Sequence, residues 1–333
     1  MSSLAPNSVL PPLRSKTFQV ADYDLTATLT SGQAFRWRRA GDSWEGVIGS
    51  RWVRLHADVG TIVAETAVPV SDWSCLIEYL QLDLDFEAML ATFPDDEPMQ
   101  MAVANCRGLR LLRQEPWECL ASFILSSTKQ ILQIQQIVGL ICERFGEPLT
   151  VPSGRAVVHA FPSPSRIAGL GEAELRACKM GFRAPYLLET ANTIASGKLD
   201  LKDLDQMTME QARAQLMGLP GVGRKIADCV LLFAYGLQGA FPVDVWVMKA
   251  LRQLYFPKRS VKMKRLYRFA SEHFGSNAGY AQQYLFHYMR TVHSPQSTVH
   301  SPQSTGPKFK VQSLPSGVGA RVRRSISQDH EAA

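Results

Sequence analysis

The sequence predicts a mostly α-helical protein that begins with an antiparallel β-sheet, an α+β arrangement. Two observations carry this expectation. Before residue 66 apolar and polar residues alternate, as in Trp52-Val53-Arg54-Leu55-His56, and Gly49-Ser50 just upstream supplies a hairpin turn. After about residue 71 the period lengthens, and Cys75-Leu76, Tyr79-Leu80, Phe86 and Met89-Leu90 recur at helical spacing.

Taken in order, residues 1–15 are rich in Pro and Ser and read as a flexible leader. Residues 17–66 read as strands, with 61–64 adding one beyond the hairpin. Helices follow at about 97–106, 116–126, 129–144, 172–180, 184–196, 208–218, 224–236, 245–254, 261–273 and 278–290. Gly146, Pro148, Pro152, Pro162, Pro164, Gly218, Pro220 and Gly221 punctuate them. This divides the chain into a sheet domain with flanking helices over 16–110 and a helical body over 111–292, with a helical hairpin at 208–236. In the tail, 293–333, the seven residues 291–297 recur at 298–304, and a proline in each copy rules out a coiled coil in favour of disorder.

Composition excludes several classes. With 46% apolar and 20% charged residues among 333, the chain can bury a sizeable core and is not wholly disordered. It has no run of ~18 apolar residues to span a membrane. The N-terminus lacks a basic-then-apolar signal pattern, which implies an intracellular protein, although the absence of acidic residues before Asp22 leaves a mitochondrial leader open. Six cysteines, at 75, 106, 119, 142, 178 and 229, are too dispersed for a C-x-x-C zinc site or an iron–sulfur cluster, so no cofactor is expected. Five basic and two acidic residues in 293–333 supply half of the net charge of +6, so a polyanionic partner is allowed but not demanded.

The chemistry concentrates in Leu219-Pro220-Gly221-Val222-Gly223-Arg224-Lys225-Ile226-Ala227-Asp228. One helix ends near Gly218 and another begins near Arg224. Glycines at such a turn let backbone N–H groups face outward at a helix N-terminus, where the dipole favours an anion. An ordinary αα-turn needs no ligand, but L-P-G-V-G followed by basic residues points to a DNA phosphate, with Gly221, Val222 and Gly223 at the contact. A lysine nucleophile attacks as its free amine, and Lys225 opens a helix whose dipole opposes a positive charge. Cys229 lies one turn along the same face. Further on, Phe241-Pro242-Val243-Asp244-Val245-Trp246 places Asp244 before an apolar helix. Its plain role is an N-cap, whose backbone N–H partners favour the carboxylate, and that carboxylate can face a developing cation.

These segments resemble the helix–hairpin–helix DNA glycosylase superfamily, and the pairing of Lys225 with Asp244 is similar to its bifunctional members. The rest of the chain resembles the 8-oxoguanine DNA glycosylase branch. The matching motifs are SGQAFRWR around Gly32, GLRLLRQEP from Gly108, Phe123 with Ser126-Ser127, GFRA from Gly181, and AGYAQ with Leu285-Phe286 from Ala278. They span about 17–290. The resemblance implies a TATA-box-protein-like sheet domain on a helical glycosylase body, acting as a monomer on double-stranded DNA that carries oxidised guanine opposite cytosine. Localisation would follow the DNA: the nucleus in a eukaryote, the nucleoid in a bacterium. Lys225 would attack C1′ and form a Schiff base, Asp244 would assist, and β-elimination would nick the strand. Gly32 would offer its carbonyl to the flipped base, with Cys229, Gln282 and Phe286 around it, and a monovalent cation would sit at main-chain carbonyls near Leu219 and Val222.

Physical reasoning supports that pocket. Guanine N7 is an acceptor, whereas oxidation at C8 makes it a donor, so a carbonyl at Gly32 would bond the lesion and repel guanine. Gln282 and Phe286, four residues apart, give one helical face an amide and a ring. Three positions depart from the family pattern: Thr128 stands where an asparagine fills the vacated stack, Gln133 where a second arginine reads the opposite base, and Trp246 where a histidine follows the aspartate. By the resemblance, Arg183 would keep the remaining opposite-base contact, and Phe182 would bind DNA beside it. Two rival readings are an alkylated-base glycosylase working through aspartate alone, which Lys225 argues against, and an inactive DNA-binding module, which has no need of Lys225 or Asp244.

Overall fold

The N-terminal strands build one antiparallel sheet in the order β1-β5-β4-β3-β2. They are β1 Arg14–Gln19, β2 Arg38–Ala40, β3 Ser43–Ile48, β4 Arg51–Asp58 and β5 Thr61–Thr66. The structure is a computed structural model, described for residues 13–127, 129–257 and 261–293. The alternation seen in the sequence is the pleat of β4 and β5. Val53, Leu55, Ile62 and Ala64 enter the sheet core, while Arg54 and Glu65 pair at 2.5 Å. The leader is shorter than expected, because Arg14 and Ser15 already pair with Thr66 and Glu65. Residues 1–12 and the tail from 294 onward, with its repeat, lie outside the described residues.

A helix interrupts the stretch expected to be all strand. It is α1, Leu25–Thr30, capped by the Asp24 carboxylate accepting from Ala27 N at 2.8 Å. Its six residues are too few for a period to stand out, and Asp24 was the only local signal.

The helices that follow are α2 Ser74–Leu80, α3 Phe86–Leu90, α4 Glu97–Cys106, α5 Pro116–Ser126, α6 Ile131–Phe145, α7 Pro164–Ala168, α8 Glu172–Arg176, α9 Ala184–Ala195, α10 Met209–Met217, α11 Arg224–Phe233, α12 Val245–Ala250, α13 Met263–His273 and α14 Ala278–His293. Pro164 is not a break but the first residue of α7, behind a Ser163 N-cap. The helix expected over 172–180 stops at Arg176, and Gly181–Arg183 forms a 3₁₀ turn instead. The segment after α12 continues as one π turn, Leu251–Tyr255.

Residues 13–293 belong to one compact unit. Two apolar cores meet at the extended segment 108–112, with Leu109 and Leu111 in the body core and Leu112 in the sheet core. The domain boundary drawn at residue 110 therefore falls inside a seam. Gly108 (φ +95°) is required there, because a Cβ would lie 2.6 Å from Asp24 N. The buried Arg110 guanidinium donates to the carbonyls of Ala21, Asp22 and Gly108 at 3.0–3.2 Å and lies 3.5 Å from the Phe86 ring centroid.

Helices α10 and α11 form the hairpin pair, and a buried ion pair joins them. Arg213 Nε meets Asp228 Oδ1 at 2.6 Å, with 5% and 1% of the two side chains exposed. Removing Arg213 leaves the buried Asp228 carboxylate with the longer, 3.5 Å contact to Arg224, so Arg213→Met is expected to cost ~3 kcal/mol in urea unfolding. Arg213→Met combined with Asp228→Leu should recover most of that loss. A double variant as unstable as the single one would show that the pair is not what joins the helices.

Candidate active site

Lys225 stands in the first turn of α11, half-buried, with Nζ 3.5 Å from Ser126 Oγ and 5.0 Å from the Phe123 ring centroid. Both partners come from α5, so the packing of α5 on α11 fixes where the amine points. One turn further, the Cys229 thiol is buried and adjoins Lys225 as the spacing predicts. Burial pushes the thiol up to about 11 against the opposing charge of Lys225, so it stays protonated at neutral pH.

Asp244 is the N-cap of α12, and its Oδ1 accepts from Trp246 N at 3.0 Å and Val247 N at 2.8 Å. The capping role is as expected, but its effect on charge is not the dominant one. Burial raises this carboxyl above the ordinary carboxylate value, and the Val247 N–H, the Lys225 charge and the Trp246 N–H only oppose that rise. Lys225 and Asp244 are therefore within electrostatic reach of each other.

The loop after α1 forms the next wall. Four consecutive carbonyls stand there, and distant side chains occupy three of them. Arg290 Nη2 donates to Thr30 O at 2.8 Å, Gln283 Nε2 to Ser31 O at 3.0 Å and Gln114 Nε2 to Gln33 O at 2.7 Å. The remaining carbonyl, that of Gly32, accepts from none of the described residues. Gly32 has φ +78°, and a Cβ there would come within 2.8 Å of Ile131 Cδ1. Only glycine fits.

Along α14, Phe286 is half-buried and the buried Gln282 keeps Oε1 without a hydrogen-bond partner. The sequence reading stopped at this pair and missed Arg290, one further turn along. Its guanidinium lies 5.7 Å from the Phe286 ring centroid, interacts electrostatically with Asp244 and leaves Nη1 buried and unpaired. Arg290 thus links the Gly32 loop to the Lys225–Asp244 cluster. The i, i+4, i+8 spacing from Gln282 was the available signal.

The hairpin differs in detail from its sequence reading. Gly221 (φ +72°) is exposed, but a Cβ on it would lie 2.6 Å from the Tyr186 ring and 3.2 Å from Arg183 Nη1, so it serves conformation and packing. Gly223 has open space around it and is the N-cap of α11, with no side chain bonding the first N–H groups. Val222 and Leu219 are buried under the turn, and Val222 N donates to Leu219 O at 3.2 Å. Arg224 turns away from the open end, 3.5 Å from Asp228 Oδ2 and 3.9 Å from the Tyr267 ring centroid.

Arg183 packs on the hairpin, with its Nη1 3.5 Å from Gly221 O, and Phe182 beside it is 54% exposed. Gln133 is exposed, but its Oε1 is committed to capping α6, accepting from Gln130 N at 3.0 Å. Trp246 is half-buried against the body core, with Lys249 Nζ 5.5 Å from its ring centroid. Thr128 lies outside the described residues. Among the described residues no group of three or more His, Cys, Asp or Glu could hold a metal ion, and no helix is long and apolar enough to cross a membrane.

Residues 17–120 match the family model for the 8-oxoguanine DNA glycosylase N-terminal domain, and 121–274 match that for the HhH-GPD superfamily of base excision DNA repair proteins. A probable N-glycosylase/DNA lyase of Methanothermobacter thermautotrophicus is 32% identical over 300 residues, covering 81% of this chain and 95% of that protein. The Arabidopsis thaliana N-glycosylase/DNA lyase OGG1 is 31% identical, covering 79% of this chain and 76% of its own length. Among solved structures, the Clostridium acetobutylicum 8-oxoguanine glycosylase/lyase, in complex with double-stranded DNA containing cytosine opposite 8-oxoguanine, superposes with a TM-score of 0.79 at 30% identity, covering 85% of this chain and 99% of that one. The chain belongs to the 8-oxoguanine DNA glycosylase/lyase family of the helix–hairpin–helix superfamily.

Proposed function

We propose that this protein excises 8-oxoguanine from duplex DNA, where the lesion stands opposite cytosine, and then nicks the strand at the emptied site. The observation that carries the reading is the electrostatic coupling of Lys225 with Asp244, together with a loop whose Gly32 carbonyl accepts from none of the described residues. The lesion nucleotide flips out of the stack to reach them. Lys225 Nζ forms a bond to C1′ while the C1′–N9 bond breaks and its electron pair leaves with the base. Oxocarbenium character on the sugar is stabilised by the Asp244 carboxylate. The sugar ring then opens to a Schiff base, loss of a proton from C2′ expels the 3′ phosphate, and the strand is cut by β-elimination. Cys229 remains a neutral thiol beside the amine and offers no competing nucleophile.

Phosphates flanking the lesion meet the uncapped N–H groups at the start of α11, which Gly223 leaves open. Leu219 O keeps a lone pair beyond its bond to Val222 N, so this turn can also hold a monovalent cation through main-chain oxygens, adding positive charge for a phosphate. Such a protein works as a monomer where the DNA is, in the nucleoid of a bacterium or the nucleus of a eukaryote. The alkylated-base alternative needs only Asp244 and leaves Lys225 without a task.

Borohydride trapping on an 8-oxoguanine duplex tests the nucleophile directly. Lys225→Gln should bind the duplex yet give neither trapped adduct nor strand cleavage; trapping at the wild-type rate would reassign the nucleophile.

Asp244→Asn keeps a good N-cap and removes the charge. Excision is expected to slow by ~10²-fold or more, the size of losing one preorganised electrostatic contact. The sign of its pH dependence follows from the raised carboxyl. Ionised Asp244 costs stability at neutral pH, and that cost fades as pH falls through the raised value. The variant should therefore be no less stable than wild type at pH 7. Wild-type excision should fall as pH drops through a value above the ordinary carboxylate range, and the variant should lack that acid limb. Parallel losses of stability and activity would instead make Asp244 structural.

Cytosine opposite the lesion presents acceptors that arginine forks satisfy well. Here Arg183 keeps one fork, while Gln133 offers a neutral amide partly committed to its helix cap. Discrimination against other partner bases should be shallower by ~1–2 kcal/mol than with two arginines. Single-turnover excision opposite C, T, G and A checks this. Gln133→Arg should raise the C-to-T ratio and Arg183→Ala should nearly erase it, whereas an unchanged ratio in Gln133→Arg rules the idea out.

A further inference from the structure

Near the Gly32 carbonyl, which accepts from none of the described residues, stands an unpaired donor. Arg290 Nη1 is buried, has no hydrogen-bond partner and lies 3.3 Å from the position a Cβ on Gly32 would occupy. The same guanidinium is held in place by its Nη2 bond to Thr30 O and by the Phe286 ring. The site thus shows an acceptor and a charged donor near each other, neither of them satisfied among the described residues. Leaving a charged donor buried and unpaired is costly, so this arrangement calls for a ligand acceptor. Burial works against the charged guanidinium and Asp244 works in its favour.

We propose that Arg290 is a specificity-determining residue that donates from Nη1 to the C8 carbonyl oxygen of the flipped base, while Gly32 accepts from N7–H. This rests on the excision reading above. Oxidation changes two adjacent atoms of guanine. N7 turns from acceptor to donor, and C8 gains an acceptor oxygen in place of a hydrogen. The Gly32–Arg290 pair complements both changes at once. Undamaged guanine would set its N7 lone pair against the Gly32 carbonyl and a C–H against the Arg290 donor, leaving two buried polar groups unpaired. Sites built this way reject the analogue that lacks the group far more strongly than size selection does. Phe286, between Gln282 and Arg290 on α14, supplies the face on which the ring rests.

The test compares wild type, Arg290→Leu and Arg290→Lys in single-turnover assays on three duplexes. The first carries 8-oxoguanine opposite cytosine. The second carries 8-thioguanine, which keeps N7–H but puts a weakly accepting sulfur at C8. The third carries a preformed abasic site, which has every phosphate and no base. Arg290→Leu is expected to slow 8-oxoguanine excision by roughly ten- to hundred-fold, the size of one charged hydrogen bond. Its losses on the other two duplexes should be at least several-fold smaller. Arg290→Lys should fall between, since it keeps the charge but not the fork. Equal losses on 8-oxoguanine and 8-thioguanine would mean that Arg290 only positions the Gly32 loop, and the inference falls. Equal losses on the lesion and the abasic site would assign Arg290 to a phosphate or to folding, and the inference falls again. A wild type that does not release 8-oxoguanine at all would remove the excision reading and this one with it.

Discussion

The site depends on how four successive peptide units, Thr30 to Gln33, are held. Gln33 is fully buried, and its amide nitrogen donates to Thr28 O, Ser31 Oγ and Arg110 O at 2.8–3.0 Å while its oxygen accepts from Leu112 N at 2.7 Å. A single side chain thereby ties the loop after α1 to the seam between the two cores. Gln114, Gln283 and Arg290 then take the neighbouring carbonyls. A loop pinned by buried amides cannot rearrange without leaving several polar groups unpaired, which gives the Gly32 carbonyl a fixed direction. Preorganisation of this kind lets one carbonyl discriminate, because a mobile carbonyl would simply turn away from a lone pair.

The same pins explain why sheet and helical body behave as one unit. Arg110 reaches the carbonyls of Ala21, Asp22 and Gly108, Tyr280 hydroxyl accepts from Leu111 N at 3.2 Å, and Tyr284 hydroxyl donates to Leu109 O at 3.1 Å. Segment 108–112 is thus bonded to α14 and to the chain preceding α1 at once. The Gly32 loop follows α1 on the sheet side, and Lys225 stands on α11 of the helical body. Their relative placement is set across this seam, which makes it a functional part of the molecule rather than a boundary.

Much of this was legible in the sequence, and the gaps have physical reasons. Long amphipathic segments such as α6 and α14 announce themselves by period, and Asp244 and Lys225 announce themselves by standing at helix starts. Short helices such as α1 and α7 carry too few residues for a period, and their caps, Asp24 and Ser163, are common residues in loops. Gly221 and Gly223 look equivalent in a motif, yet one packs against Tyr186 and the other leaves a helix start open. Such a difference is tertiary and no spacing encodes it. Arg290 was missed for a related reason. A charged residue near the end of a helix reads as solvated, and only the fold brings the Thr30 carbonyl and the Gly32 loop against it.

The electrostatics of the pocket follow from these placements. One carboxylate, Asp244, stands within reach of two cations, Lys225 and Arg290. The other titratable groups nearby are kept neutral by burial: the Cys229 thiol is pushed up to about 11 and the His287 imidazole down to about 4, the latter also by the Arg290 charge. In the free protein Arg290 is held through Nη2 by Thr30 O, and the Asp244 charge favours its guanidinium from a distance. Under the proposal above, a base that offers Arg290 an oxygen gives the guanidinium a second electrostatic partner beside Asp244. On the same proposal, recognition of the lesion and stabilisation of the developing cation share one guanidinium, which stands against the Gly32 loop and feels the Asp244 charge.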